Sequence, residues 1–205
     1  MSSVLDVQLF ISAFVTLFVI MDPPGTVPIF LALTSSMTRQ QRARAARQAI
    51  LVAFGVIVGF ALFGQSVLNY LHVSLPALQG AGGLLLLLVA MELLTGKLDN
   101  NEALEGTQGN VALVPLGTPL LAGPGAIVAT MVFVQQATEP PDWVAISLGV
   151  VLVHICLYLS MRFANAIHRV LKDSGTLLVS RIAGLLLAAI AVQLLADAVL
   201  AFARG

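Results

Sequence analysis

The chain has 205 residues, of which 59% are hydrophobic and 10% charged, and its mean hydropathy is +0.98. Soluble domains carry roughly a quarter charged residues, so a water-soluble globular class is excluded and membrane-spanning helices are expected. Ten basic and ten acidic residues cancel, which argues against a nucleic-acid partner, and the single Cys156 excludes an intrachain disulfide or a cysteine metal cluster.

A hydrocarbon core of roughly 30 Å needs about 20 apolar residues in a helix. Six runs are long enough: near residues 8–34, 48–71, 75–96, 111–136, 143–165 and 179–202. The stretch "MSSVLDVQLF" before the first has no basic leader and no small-residue cleavage site follows, so it reads as the start of a span rather than a signal peptide. Span one is interrupted by "DPPG" (Asp22, Pro23, Pro24, Gly25) followed by Thr26. Proline lacks the amide hydrogen a helix needs, glycine tolerates unusual backbone angles, and aspartate is a good N-cap. The pattern predicts the end of one half-helix and the capped start of another. A lone Pro-Gly kink serves packing as readily as function, so the argument needs a second one.

The link "TSSMTRQQRARAAR" carries Arg39, Arg42, Arg44 and Arg47, and span two carries no such break. "GAGG" opens span three with small residues suited to close helix packing. No strand precedes it, so it is not a phosphate-binding loop. Glu92 lies late in span three and suits either an interfacial link or ion coupling. Span four contains "AGPG" (Ala122, Gly123, Pro124, Gly125) followed by Ala126, with Pro115 and Pro119 loosening the helix before it. His154, well inside span five, is a proton-shuttle candidate or a hydrogen-bonded structural histidine. Asp197 closes span six at the interface. Asp, Glu, His and Cys never fall at metal-ligand spacing, and no nucleophile–base set is recognisable, so neither a metal, a cofactor nor an enzymatic activity is expected.

Links one, three and five hold nine of the ten Lys and Arg residues, which places them in the cytoplasm and both termini outside. The expected setting is a multi-pass protein of the inner cell membrane, in contact with its lipids.

The chain also repeats. Displaced by 100 residues, Pro24-Gly25 falls on Pro124-Gly125. "GLLLLLVAMELL" from Gly83 matches "GLLLAAIAVQLL" from Gly184 at seven of twelve positions. Three spans per half is an odd number, so the second half must enter from the opposite side. The expected fold is all-α: one membrane domain over 1–205, built from two inverted repeats of three helices (about 1–98 and 108–205), with helices 1 and 4 broken at the Pro-Gly motifs. Two half-helix N-termini would then approach the midplane from opposite sides, their amides suited to a carboxylate. The carbonyls that end the preceding half-helices suit an ammonium group or a cation. The lining of Asp22, Pro23, Pro24, Gly25, Thr26, Ala122, Gly123, Pro124, Gly125 and Ala126 is small, as for a small solute.

"DPPGTVPIF", "PLLAGPGAI" (Pro119 to Ile127) and "SRIAGLLLAAIAVQLL" (Ser180 to Leu195) resemble the MarC family, and the resemblance runs in order along essentially the whole chain. Asp22, Pro23 and Gly25 match its first motif, and Ala122, Gly123, Pro124 and Gly125 its second. Pro24 stands where the family usually has an aliphatic residue, and Thr26 where asparagine is common. The resemblance implies six spans and relatives that move small neutral amino acids such as glycine and alanine with proton-gradient coupling. The expectation is therefore a secondary transporter of such an amino acid, coupled to protons or sodium, with Asp22, His154 or Glu92 serving the ion. A channel or exporter for another small solute, and a membrane scaffold without transport, remain the rivals.

Overall fold

The computed structural model describes residues 5–34, 37–95 and 121–204, which form seven helices and, among those residues, no strand. In chain order these are α1 (Val7–Met21), α2 (Thr26–Leu33), α3 (Arg39–Leu71), α4 (Leu75–Thr95), α5 (Pro124–Gln136), α6 (Pro140–Arg162) and α7 (Ala164–Arg204). Four stretches are long and apolar enough to cross a membrane: Arg39–Leu71, Leu75–Thr95, Pro140–Arg162 and Leu177–Ala203. Their outward residues are apolar, with Leu62, Leu88, Ile155 and Leu185 all exposed, as surfaces solvated by lipid must be. At 15 and 13 residues, α1 and α5 are about 20 Å long, short of a full crossing. Pro115 and Pro119, expected to loosen the fourth span, lie outside the described residues, as does Lys97 of the third link.

Two polar links are more helical than the sequence reading expects. The arginine-rich link becomes the first turns of α3, because arginine, alanine and glutamine are strong helix formers. Thr38 caps it by accepting from the Gln41 amide (3.3 Å), while the Gln41 side chain accepts from the Thr38 amide (2.8 Å). The link between spans five and six is likewise drawn into α7, which breaks only at Lys172 (φ 53°, ψ −178°). At the start of α6 the Asp142 carboxylate accepts from the amides of Thr138 (2.9 Å) and Glu139 (3.0 Å).

The larger core joins α1, α2, α3, α5 and α6. Leu17, Val27, Phe30, Ile57, Ala126, Val153 and Leu157 are buried in it together. A smaller core of Leu86 and Ala90 from α4 and Leu187 and Ala191 from α7 holds those two helices in the most extensive helix–helix contact among the described residues. That contact is reciprocal. A Cβ on Gly83 would meet the Ala191 carbonyl oxygen at 2.9 Å and Leu195, whereas one on Gly184 would meet the Ala90 carbonyl oxygen at 3.2 Å and Leu94. Each of these contacts becomes the other when α4 and α7 positions are exchanged at a displacement of 101 residues, and the four core residues pair off in the same way. The helices run antiparallel, since Gly80 faces Ala198, Gly83 faces Ala191 and Ala90 faces Gly184. Around this pair, α5 packs on α3 and α4, and α2 on α6 and α7.

Candidate substrate site at the Pro-Gly turns

The first turn is built by Asp22. Its backbone is left-handed (φ 40°, ψ 68°), a conformation that asparagine and aspartate tolerate best among residues with a side chain. The Asp22 amide donates to the Phe18 carbonyl (3.0 Å) and closes α1. The carboxylate then folds forward: Oδ1 accepts the Gly25 amide at 3.1 Å and caps the start of α2. A Cβ on Gly25 would lie 1.9 Å from Asp22 Oδ2, so the carboxylate occupies the space that any side chain at 25 would need. The Thr26 amide donates to the Asp22 carbonyl (3.0 Å), and the Thr26 hydroxyl to the Pro23 carbonyl (2.8 Å). Pro23, Gly25 and Thr26 are buried; Asp22 and Pro24 are partly so.

The second turn carries no charge. Gly123 is the N-cap of α5 in extended backbone (φ −63°, ψ 162°), and Pro124 takes the first helical position, where no amide hydrogen is wanted. The Gly123 carbonyl accepts from Ala126 (3.0 Å) and Ile127 (3.2 Å). Gly125 is a packing glycine: a Cβ there would sit 2.0 Å from Leu86 of α4. Ala122 and Ala126 are buried in the larger core together with Met21 and Val27, the residues that flank the first turn.

His154 is buried on α6. Its Nδ1 lies 2.7 Å from the Val150 carbonyl, its ring stands edge-on to Phe54 of α3 at 5.2 Å, and its Nε2 has no hydrogen-bond partner among the described residues. It therefore bonds to neither turn. Glu92 lies on α4, with its side chain outside the described set. Asp197 is exposed and accepts from Gln193 (2.8 Å). Among the described residues no group of His, Cys, Asp and Glu could hold a metal ion.

Of two features of the turns, the Asp22 carboxylate capping Gly25 is the cap expected from the sequence, whereas Leu86 filling the space beside Gly125 is not. The first has a local signal in the three-residue spacing of an N-cap and its amide. The second depends on how α4 lies on α5, which has none.

The sequence matches the family of MarC family integral membrane proteins over residues 7–202. The chain belongs to the MarC family. A UPF0056 membrane protein of Methanocaldococcus jannaschii is 35% identical over 200 residues, covering 95% of this chain and 98% of its own. One from Archaeoglobus fulgidus is 35% identical over 195 residues (92% and 91%), and one from Escherichia coli K12 is 29% identical over 195 (92% and 90%). No solved structure matches. In this MarC protein both Pro-Gly turns lead into helix starts, α2 and α5, and the first carries the charge.

Proposed function

We propose that this protein is a secondary transporter of a small neutral amino acid of the glycine or alanine type, with proton coupling. One observation carries the reading: two helices start on Pro-Gly turns of matched sequence position, and Ala122 and Ala126 of the second share one core with Met21 and Val27, which flank the first. On this reading α1 with α2 is an interrupted crossing, and α5 belongs to its counterpart in an inverted repeat. The reciprocal packing of α4 on α7 supports that symmetry, as do the matched partners of α2 and α5. Alternating access would come from rocking one repeat against the other.

Of the amides of Gly25, Thr26, Gly125 and Ala126 that would meet the substrate carboxylate, three are engaged inside the protein, that of Ala126 by the Gly123 carbonyl. Asp22 Oδ1 holds the Gly25 amide and the Asp22 carbonyl holds that of Thr26. The bound carboxylate of Asp22 is chemically the group that the substrate would present. Substrate would therefore displace Asp22 from the Gly25 amide, and the released acid would face the substrate ammonium or take up a proton. This exchange links solute binding to the state of one ionisable group, which coupling requires.

The test is uptake of labelled glycine and alanine into proteoliposomes, with and without an imposed proton gradient, comparing wild type with Asp22→Asn. Concentrative uptake by wild type that becomes merely equilibrative in the variant is expected. Folded wild-type protein that takes up neither solute under any gradient would sink the amino-acid reading, and uptake that never exceeds equilibrium would favour a channel.

A further inference from the structure

At the far end of α2 from its turn lies a cavity of about 410 Å³ that the transport reading does not use. Its walls bring together two segments more than a hundred residues apart. Arg39 and Arg42 come from the first turns of α3, Arg162 from the last turn of α6, and Arg169 from the first turns of α7. No Asp or Glu is among the described lining residues, whereas Phe30 and Leu31 form an apolar wall. Arg42 is anchored through Nε to the Thr34 carbonyl (2.9 Å), and the Arg162 guanidinium lies 5.9 Å from the Phe163 ring centre.

Around this cavity the permanent charges of Arg39, Arg162 and Arg169 repel one another, and no carboxylate among the described lining residues offsets them. A single carboxylate has two oxygens and one charge, enough for one guanidinium fork. A phosphate group has up to two charges and oxygens that several forks can share, which is the geometry arginine recognises best. The volume is within the range of small-molecule sites, larger than a bare phosphate requires. The helix ends place it at the boundary of the apolar spans, where phosphate groups of lipids lie and where soluble phosphates have access.

We propose that this four-arginine cavity binds a phosphate-bearing anion. The inference stands on the cavity alone and survives if the transport reading fails.

The test uses the full chain, delipidated in a neutral detergent, with binding read by native mass spectrometry and by the ligand-dependent rise in melting temperature. One arm adds phosphatidylglycerol against phosphatidylcholine; the other adds inorganic pyrophosphate. Arg162→Gln with Arg169→Gln is compared with Arg44→Gln with Arg47→Gln, two exposed arginines of α3 that do not line the cavity. Loss of charge-assisted bonds should weaken binding about tenfold or more in the first pair and under about twofold in the second. Phosphatidylglycerol binding alone assigns a lipid headgroup, and pyrophosphate binding assigns a soluble phosphate. Binding of neither, or equal loss in both pairs, overturns the proposal. Should the first pair fail to fold, Arg39→Gln, on an exposed position, replaces it with the same expectation.

Discussion

Asp22 does two jobs with one side chain, and substitution separates them. Asparagine tolerates the same left-handed backbone and offers an oxygen to the Gly25 amide, but carries no charge. Asp22→Asn should therefore change stability by less than about 1 kcal/mol, whereas Asp22→Ala, which removes the cap, should cost about 1–2 kcal/mol. Melting in detergent measures both. If the two variants melt together, the cap seen at Gly25 does not stabilise the turn. Gly25→Ala probes the same contact from the other side. Its methyl group would collide with the Asp22 carboxylate, which must swing off the amide, so the expected cost is about 1–3 kcal/mol together with loss of uptake. A Gly25→Ala protein of wild-type stability and uptake would show that the carboxylate is not needed where it lies.

At the scale of helices, the glycines sort by what faces them. Gly83 and Gly184 face backbone carbonyls, which cannot move aside, whereas Gly55 and Gly59 on α3 have nothing within 4 Å. Gly83→Val and Gly184→Val should each destabilise by about 1–3 kcal/mol, and alanine at 55 or 59 should be neutral or stabilising by up to about 1 kcal/mol. Unfolding of the four variants in mixed micelles measures this, and equal effects at all four positions would mean that α4 and α7 do not pack as closely as described. The "GLLL" runs were legible as a repeat because they share residues at fixed displacement, and the Pro-Gly turns because their chemistry is local. What the sequence concealed was non-local. The lengths of the apolar runs predict that α4 and α7 exist, but not that they pair antiparallel with Gly83 against Ala191. The arginines of links one and five were visible as topology signals, yet their convergence on one cavity depends on how the ends of α3, α6 and α7 gather at the far end of α2. Helix boundaries in polar links were also misjudged, because hydropathy marks where lipid ends and not where a capped, alanine-rich helix ends.

For the whole molecule, the decisive question is whether positions related by the 100-residue displacement lie on opposite membrane faces. The charges already differ in the way such an arrangement predicts. Thr38, Arg39 and Arg42 at the start of α3 correspond to Thr138, Glu139 and Asp142 at the start of α6, so one repeat begins its middle helix with bases and the other with acids. The acidic start adjoins a cavity lined by Asp6, Gln8, Ser12, Gln136 and Asp142, and the basic start adjoins the four-arginine cavity. Single cysteines in a Cys156→Ser background, probed with a membrane-impermeant maleimide on intact cells, would read the two faces directly. Gln40→Cys and Ser174→Cys should react only after the cells are opened, and Asn69→Cys and Glu139→Cys should react at once; all four positions are exposed. Gln40 and Asn69 lie at opposite ends of the one helix α3, so they must differ if α3 crosses the membrane. The pair that tests inversion is Gln40 with Glu139. Labelling of both from the same side would place the two middle helices parallel, and two repeats that cross in the same sense cannot bring their half-helix N-termini together from opposite faces.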